Sequence, residues 1–193
     1  MSSRQIRRAA ARDIEDVVRL RAEMFRAMEV SQHDATDWQA AAAEWLTRRL
    51  DDPRFCVMVV EVGGAVVATA MGILREAPPS PHSPGGDVLV CNVCTDPEVR
   101  GQGHGRAAFD AVLAWSRTVG AGRAELLATE DGRRMYEKAG FRVSRSPVMR
   151  VHLQDEGLAG PTLPGGAATS ADQVPGGPHR HEAPSRGLPK LGD

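Results

Sequence analysis

The sequence has 193 residues, a length that fits one ordinary domain with a buried core. Its 24 Lys and Arg residues nearly balance 25 Asp and Glu residues, for a formal net charge of -1, which argues against a nucleic-acid partner. No apolar run approaches the roughly 20 residues that span a bilayer, and the first residues lack the apolar core of a signal peptide, so we expect a cytoplasmic protein without a membrane partner.

Hydrophobic periodicity divides most of the chain into strands and helices. In chain order the predicted elements are strand 5–10, helix 14–29, helix 36–50, strand 55–62, strand 65–74, strand 87–94, helix 103–119, strand 123–128, helix 130–139, and strands near 141–143 and 148–153. Asp13 lies where the N-cap of the first helix is expected. A hairpin followed by alternating helices and strands is typical of an α/β protein with one mixed sheet flanked by helices.

Two segments have a composition that does not favour regular structure. The connection 77–86 is long and rich in proline, and it either covers a substrate or forms a stiff surface loop. From about Asp155 the chain is dominated by Gly, Pro, Ser and scattered charges, with few residues to bury. We therefore predict a domain at residues 1–154 and a disordered tail at 155–193.

Three cysteines, Cys56, Cys91 and Cys94, fall in predicted buried strands, and we expect them to be reduced packing residues. The pair Cys91-x-x-Cys94 invites a redox or zinc interpretation. No second Cys or His pair has ligand spacing, and strand residues three apart point to opposite faces, so no metal site is predicted. The helical Trp38 and Trp45 are likewise expected to pack against the sheet, although this region also has the option of bordering an acceptor site.

A glycine-rich turn follows the strand at 87–94, where residues 100–106 read Arg-Gly-Gln-Gly-His-Gly-Arg. Alternate glycines at a helix start bring backbone N–H groups together, and the helix dipole adds positive potential there, which favours phosphate binding. Arg100 and Arg106 would add charge-assisted contacts that suit a pyrophosphate. A dinucleotide fold needs this turn in its first strand–helix–strand unit, and a Walker loop needs a following Lys-Ser or Lys-Thr, and neither condition is met.

The spacing Arg100-x-x-Gly103-x-Gly105 after a strand resembles the acetyl-CoA pyrophosphate signature of the GNAT superfamily. Further on, the segment 133–141, with Tyr136 before Gly140-Phe141, resembles the second motif of that superfamily. The resemblance extends from residue 5 to about residue 153. Segments 92–95 and 129–133 resemble a bacterial subgroup of largely unassigned substrate. The Asn often found early in the second motif has no obvious counterpart here.

The resemblance implies the GNAT acyl-CoA N-acyltransferase fold, acetyl-CoA as cosubstrate, and direct acetyl transfer to a primary amine of a small molecule or peptide in a ternary complex. It also allows a homodimer. Tyr136 is the implied catalytic residue, as a hydrogen-bond donor to the leaving thiolate. The implied cofactor-binding residues are Val93, Cys94, Thr95, Arg100, Gly101, Gln102, Gly103, His104, Gly105 and Arg106. The alternatives are a catalytically silent CoA-binding module and a protein N-acetyltransferase.

An acceptor amine with a pKa near 10 is only about one part in a thousand neutral at pH 7, which costs roughly 4 kcal/mol unless a base removes the proton. The sequence does not single out that base. The candidates in segments expected near the acceptor are Glu23, Glu29, His33, Asp34, Glu76 and Asp87. Cys94 as an acyl-accepting nucleophile is disfavoured because no histidine lies beside it in sequence.

Overall fold

The computed structural model describes residues 3–79, 81 and 85–151. The chain divides into two units, residues 1–143 and 144–193. The predicted boundary at residue 154 and the predicted tail lie outside the described residues, as does part of the proline-rich connection. None of the helices in the described ranges is long and apolar enough to cross a membrane.

The first unit contains a five-stranded sheet with helices on both faces. Its elements are β1 (Arg4–Arg8), α1 (Ile14–Ala27), α2 (Thr36–Arg49), β2 (Phe55–Val62), β3 (Ala65–Glu76), β4 (Gly86–Thr95), α3 (His104–Thr118), β5 (Arg123–Glu125) and α4 (Glu130–Lys138). The strand order is β1-β2-β3-β4-β5. Successive strands are antiparallel except for β4 and β5, which are parallel. The predicted class, a mixed and mostly antiparallel sheet flanked by helices, is therefore confirmed.

Two hydrophobic clusters lie on opposite faces of the sheet, because alternate residues of each strand point to opposite sides. On the α1 face, buried residues of α1 and α2 pack on β2, as Leu20 and Leu46 do with Phe55. On the α3 face, Phe109 and Val112 of α3 pack on the other side of the same strands, and partly buried residues of α4 join them. These two faces are called the α1 face and the α3 face below.

Asp13 precedes α1, as predicted, but its side chain does not cap that helix. Its carboxylate instead accepts hydrogen bonds from the Ala10 N–H (2.7 Å) and from both terminal nitrogens of Arg7 (2.6 and 2.8 Å). Arg7 also donates to Glu61 of β2 (2.7 Å). Asp13 is only 3% exposed, and this ion network ties the start of α1 to two strands.

A β-bulge interrupts β4 near its end. Thr69 of β3 pairs with Cys94, while Met71 pairs with Cys91, so two β4 residues stand opposite a single β3 residue. Asn92, the first residue of the bulge, has a φ of 54°. The extra residue shifts the alternation of side chains, and both Cys91 and Cys94 pack on the α1 face. The prediction that they point to opposite faces was wrong for this reason.

The C-terminal part of the sheet also differs from the prediction. β5 ends at Glu125 rather than at residue 128, because its pairing with β4 ends there. The described residues from 141 to 151 form no strand. The Phe141 N–H instead donates to the Tyr136 carbonyl (3.1 Å) and its ring packs near the Tyr136 ring, so this residue closes the end of α4. The predicted strands near 141–143 and 148–153 are therefore not formed in the described part, and residues 152 and 153 lie outside it.

Candidate active site

The loop between β4 and α3 has the backbone conformation that its glycines predict. Gly101 and Gly103 have φ of 78° and 80°, in the left-handed region that side chains disfavour. A Cβ built on either glycine would meet nothing within 4 Å. The space beside these two glycines is therefore open. Residues 101–106 are called the glycine loop below.

The backbone N–H groups of the glycine loop have no acceptor among the described residues. The first four N–H groups of any helix lack an intrahelical partner, and α3 begins within the loop, at His104. The positive end of the helix dipole adds to their potential. Consecutive unpaired donors at a helix start are suited to a phosphate or diphosphate group.

The two arginines beside the glycine loop are arranged differently from one another. Arg106 pairs along the helix with Asp110 (2.8 Å), so its charge is already balanced within α3. Arg100 donates from Nε to the Thr95 carbonyl (3.3 Å), which holds the start of the loop against the end of β4. Both side chains remain at the surface beside the unpaired amides.

The sheet opens beside the glycine loop. β5 pairs with β4 only as far as Leu89, while β4 continues to Thr95 along β3. Among the described strands, the β5 side of β4 is therefore unpaired over residues 90–95. Gly105 lets α3 approach this end of β4 closely, since a Cβ there would lie 2.5 Å from Thr95 Oγ1. The unpaired edge and the glycine loop thus adjoin one another.

Tyr136 lies on α4 and faces α3. Its ring contacts Phe109 edge-on, with centroids 5.2 Å apart. Burial raises the pKa of Tyr136 above its ordinary value, so its hydroxyl stays protonated at neutral pH. None of the described residues makes a hydrogen bond with that hydroxyl, which leaves it available as a donor. Tyr136 and Val93 pack against the same hydrophobic cluster.

The other predicted site residues divide between the two faces. Cys94 points to the α1 face, where its Sγ donates to the Leu20 carbonyl (2.9 Å). Burial raises the pKa of the Cys94 thiol to about 11, which does not favour a nucleophilic thiolate. His104 is only 8% exposed, and its Nδ1 has no partner among the described residues. A buried imidazole at the helix start was not predicted.

The α1 face carries a polar group that sequence reasoning missed. Arg21 of α1 donates from Nη1 to Asn92 Oδ1 in the β4 bulge. Its guanidinium lies 4.6 Å from the centre of the Phe25 ring, and Phe25 in turn packs edge-on against Trp38 (5.3 Å). Burial lowers the pKa of Arg21 from its ordinary value. Helical spacing from Val17 already places Arg21 on the apolar side of α1, which was a usable signal.

The two helical tryptophans have different environments. Trp45 packs edge-on against Phe55 of β2 (5.2 Å), as predicted. Trp38 contacts Phe25 and donates its indole N–H to the Gln32 carbonyl (3.0 Å). Trp38 therefore lies beside Phe25, whose ring contacts Arg21 of the polar group.

Three of the six candidate bases are engaged in ion pairs. Glu23 pairs with Arg26, Glu76 with Arg54 and Asp87 with Arg123, at 2.5, 3.5 and 2.5 Å. Three others, Glu29, His33 and Asp34, follow α1 in the connection to α2. The geometry does not select one of these six as the base. No group of three or more His, Cys, Asp or Glu within the described residues could hold a metal ion.

Several solved structures share this fold. A GCN5-related N-acetyltransferase from Ralstonia eutropha JMP134 is 28% identical, with a TM-score of 0.68 over 77% of this chain and 99% of the other. A predicted acetyltransferase from Clostridium acetobutylicum, solved with acetyl-CoA, is 20% identical, with a TM-score of 0.69 over 77% and 96%. Glucosamine-6-phosphate N-acetyltransferase from Arabidopsis thaliana is 17% identical, with a TM-score of 0.62 over 78% and 100%.

The last two likenesses concern the fold alone. A search of the curated proteins finds no significant match to this sequence. A model of the acetyltransferase (GNAT) family matches residues 14–141, which include the glycine loop, the β4 bulge and Tyr136. The chain therefore belongs to the GNAT acetyltransferase family.

Proposed function

We propose that this protein transfers the acetyl group of acetyl-CoA to a primary amine of a small molecule or peptide by direct attack in a ternary complex. The observation that carries the proposal is the glycine loop, whose unpaired N–H groups border the unpaired edge of β4. Family membership supports acetyl transfer in general. The amine acceptor, the direct mechanism and the residue roles belong to the proposal.

Acetyl-CoA would supply an acetyl thioester. The N–H groups of residues 101–106 would bind its diphosphate, with Arg100 adding positive charge at the surface. The unpaired edge of β4 at residues 93–95 would orient the pantetheine arm and present backbone N–H groups to the thioester carbonyl. Preorganised donors of this kind can contribute a few kcal/mol to stabilising a developing oxyanion.

Tyr136 would donate a hydrogen bond to the departing sulfur. A free thiol has a pKa of about 8.5 and a free tyrosine one of about 10, and burial raises the pKa of Tyr136 further. Complete proton transfer from Tyr136 to the thiolate is therefore uphill by more than about 2 kcal/mol. The structure thus supports a hydrogen-bond donor with late proton transfer, rather than a strong acid.

Two other functions remain alternatives. A catalytically silent CoA-binding module is favoured by the missing Asn of the second motif and by the lack of a distinct base. A protein N-acetyltransferase would use the same cofactor site with a peptide amine as acceptor. These alternatives differ in whether, and on which amines, the bound acetyl group is transferred.

The test combines binding with turnover. Calorimetric titration of acetyl-CoA into the full chain should show saturable binding at one site. A panel of amines, including amino acids, polyamines and short peptides, should then release free thiol from acetyl-CoA in proportion to acetylated product. Absence of binding would rule out the cofactor assignment, whereas binding without transfer to any amine would identify a silent module.

A further inference from the structure

The α1 helix carries three arginines with different electrostatic environments. Arg19 pairs with Asp16 (3.1 Å) and Asp96 (2.9 Å), and Arg26 pairs with Glu23. Both are exposed. Arg21 is partly buried, and it has no carboxylate partner among the described residues. Its one hydrogen bond there, to Asn92, is to a neutral amide, so its charge is the least compensated of the three.

A partly buried cation without an anion is costly to maintain. Removing a charge from water is unfavourable unless an opposite charge or several hydrogen bonds replace the lost solvation. A guanidinium has five N–H donors in a planar fork, and Asn92 accepts from only one nitrogen of Arg21. The remaining donors are suited to a two-oxygen acceptor such as a carboxylate or a phosphate.

A second, independent observation lies on the strands beneath Arg21. Asn92 is only 4% exposed, and its Nδ2 has no hydrogen-bond partner among the residues that the structure describes. Thr69, fully buried on β3, likewise has an unpartnered Oγ1. Thr69 lies two residues from Met71, and therefore shares the α1 face with it. Thr69 pairs with Cys94, two residues after Asn92 in β4. Buried polar groups of this kind normally have partners, so two unpartnered ones on neighbouring strands point to a ligand.

The Arg21–Asn92 pair lies next to the proposed acetyl-transfer site. Asn92 directly precedes residues 93–95, which the proposed function assigns to the thioester carbonyl. Its positive φ and the bulge turn its side chain towards α1 instead of α3. A ligand anion held by Arg21 would therefore lie on the α1 face next to the reacting centre. Phe25 and Trp38 supply an apolar border for the rest of that ligand.

We propose that Arg21, Asn92 and Thr69 form the acceptor-binding site and that the acceptor is an amine carrying an oxyanion group, a carboxylate or a phosphate, which pairs with Arg21. This inference rests on the proposed function and names its substrate class. Asn92 is a positioning residue that holds the guanidinium through Oδ1, and its free Nδ2 donates to the same anion.

The first experiment compares acceptors in matched pairs. Thiol release from acetyl-CoA is measured with L-amino acids against their amides, and with O-phosphoethanolamine against ethanolamine. We expect the anionic member to have a higher kcat/KM by roughly 10- to 100-fold, the range for a charge-assisted hydrogen-bonded pair. The two pairs separate carboxylate from phosphate as the preferred anion.

Variants then assign that preference to Arg21. Arg21→Gln should remove it, mainly by raising KM for the anionic acceptor, while acetyl-CoA affinity measured by calorimetry stays the same. Arg21→Lys should retain part of the preference. Arg48→Gln, which removes an exposed arginine of α2 paired with Glu44, is the matched control and should leave the preference intact.

Asn92→Asp guards against a purely structural explanation. The new carboxylate would pair with Arg21 and compete with the ligand anion, and aspartate tolerates the positive φ of this position. The anion preference should therefore be lost while acetyl-CoA affinity stays the same. Failure of the wild type to bind acetyl-CoA would contradict the proposed function. Binding of acetyl-CoA with no preference for the anionic member of any pair, or an unchanged preference in Arg21→Gln, would overturn this inference alone.

Discussion

The two faces of the sheet present different kinds of chemistry. On the α3 face, the glycine loop offers consecutive backbone N–H groups, and Tyr136 offers a protonated hydroxyl. On the α1 face, the polar group consists of side chains from separate elements, with Arg21 and Asn92 lying 71 positions apart in the chain. Backbone N–H donors suit a diphosphate, a group that many reactions share. Side chains from separate elements can instead be substituted one at a time. Under the two proposals, the cofactor half would therefore be general and the acceptor half particular to this chain.

The largest expected effect is on the α3 face. Tyr136→Phe removes the hydroxyl but keeps the ring that packs on Phe109. We expect kcat to fall by about 100-fold, in the lower range for loss of a positioned proton donor, with the acetyl-CoA dissociation constant unchanged. Stopped-flow or steady-state thiol release measures kcat, and calorimetry measures the acetyl-CoA dissociation constant. An unchanged kcat would show that Tyr136 is only a core aromatic.

The burial of Tyr136 also predicts a pH profile. Because its pKa is raised, the phenol stays protonated through neutral and mildly alkaline pH. The rate should therefore rise with pH as the acceptor amine loses its proton. At pH values below about 10, loss of the tyrosine proton should not reduce the rate. A descending limb between pH 7 and 9 that Tyr136→Phe abolishes would contradict this.

A change at the start of α1 should affect stability without affecting the cofactor. Asp13→Asn removes the buried carboxylate that pairs with Arg7, which keeps Glu61 as its other partner. We expect the free energy of unfolding to fall by about 2 kcal/mol, below the usual cost of breaking a buried pair because one carboxylate remains. Urea denaturation measures this loss, and acetyl-CoA affinity should not change.

The same contact predicts an acid dependence. The hydrogen bonds from Arg7 lower the pKa of Asp13 in the folded state. Its contribution to stability is therefore present above the unfolded pKa, near 4, and is lost as the pH falls below that value. Denaturation of the wild type between pH 7 and 3 should show this loss, and Asp13→Asn should show less of it. Equal slopes for the two proteins would contradict the assignment.

A single methyl group tests the glycine loop. Gly103→Ala places a side chain at a φ of 80°, in the left-handed conformation that costs about 1–2 kcal/mol per residue. The free loop should relax away from this conformation, so acetyl-CoA, which needs it restored, should bind about 10-fold more weakly. Gly120→Ala is the matched control, since Gly120 follows the opposite end of α3 with a φ of 70° and open space around it. If both variants bind acetyl-CoA as the wild type does, the loop does not hold the cofactor.

The smallest expected effect is at Cys94. Cys94→Ala removes a buried thiol that donates to the Leu20 carbonyl, so the free energy of unfolding should fall by about 1 kcal/mol. Turnover should not change, because a thiol whose pKa is about 11 does not act as the nucleophile. Thermal unfolding and thiol-release assays check the two expectations. Loss of turnover in a folded Cys94→Ala protein would favour a covalent acyl-enzyme instead.

Local patterns predict the fold well where periodicity alone decides the element. The strand at Phe55–Val62 and the helix starting at Glu130 have the predicted bounds to within a residue, because apolar spacing and a capping Thr129 specify them. The strands after Phe141 were predicted from their apolar residues. A strand forms only when a neighbour pairs with it, however, and the main chain at Phe141 closes α4 instead.

The candidate site likewise has one part that the sequence predicts and one part that it does not. The glycine loop could be predicted because its six residues are consecutive in the sequence. The Arg21–Asn92 contact could not, since it depends on a bulge that rotates one residue of β4. Two signals were nevertheless present: an arginine on the apolar stripe of α1, and an asparagine within a predicted buried strand, where asparagine is disfavoured.

The most direct test of the cofactor assignment is an NMR titration of the 20.7 kDa chain that follows its backbone amide resonances. With CoA, the amides of residues 101–106 should show the largest shifts, because they donate to the diphosphate. With pantetheine, which lacks that group, they should not shift, while residues 93–95 should shift with both. CoA binding that leaves the amides of residues 101–106 unperturbed would contradict the central claim.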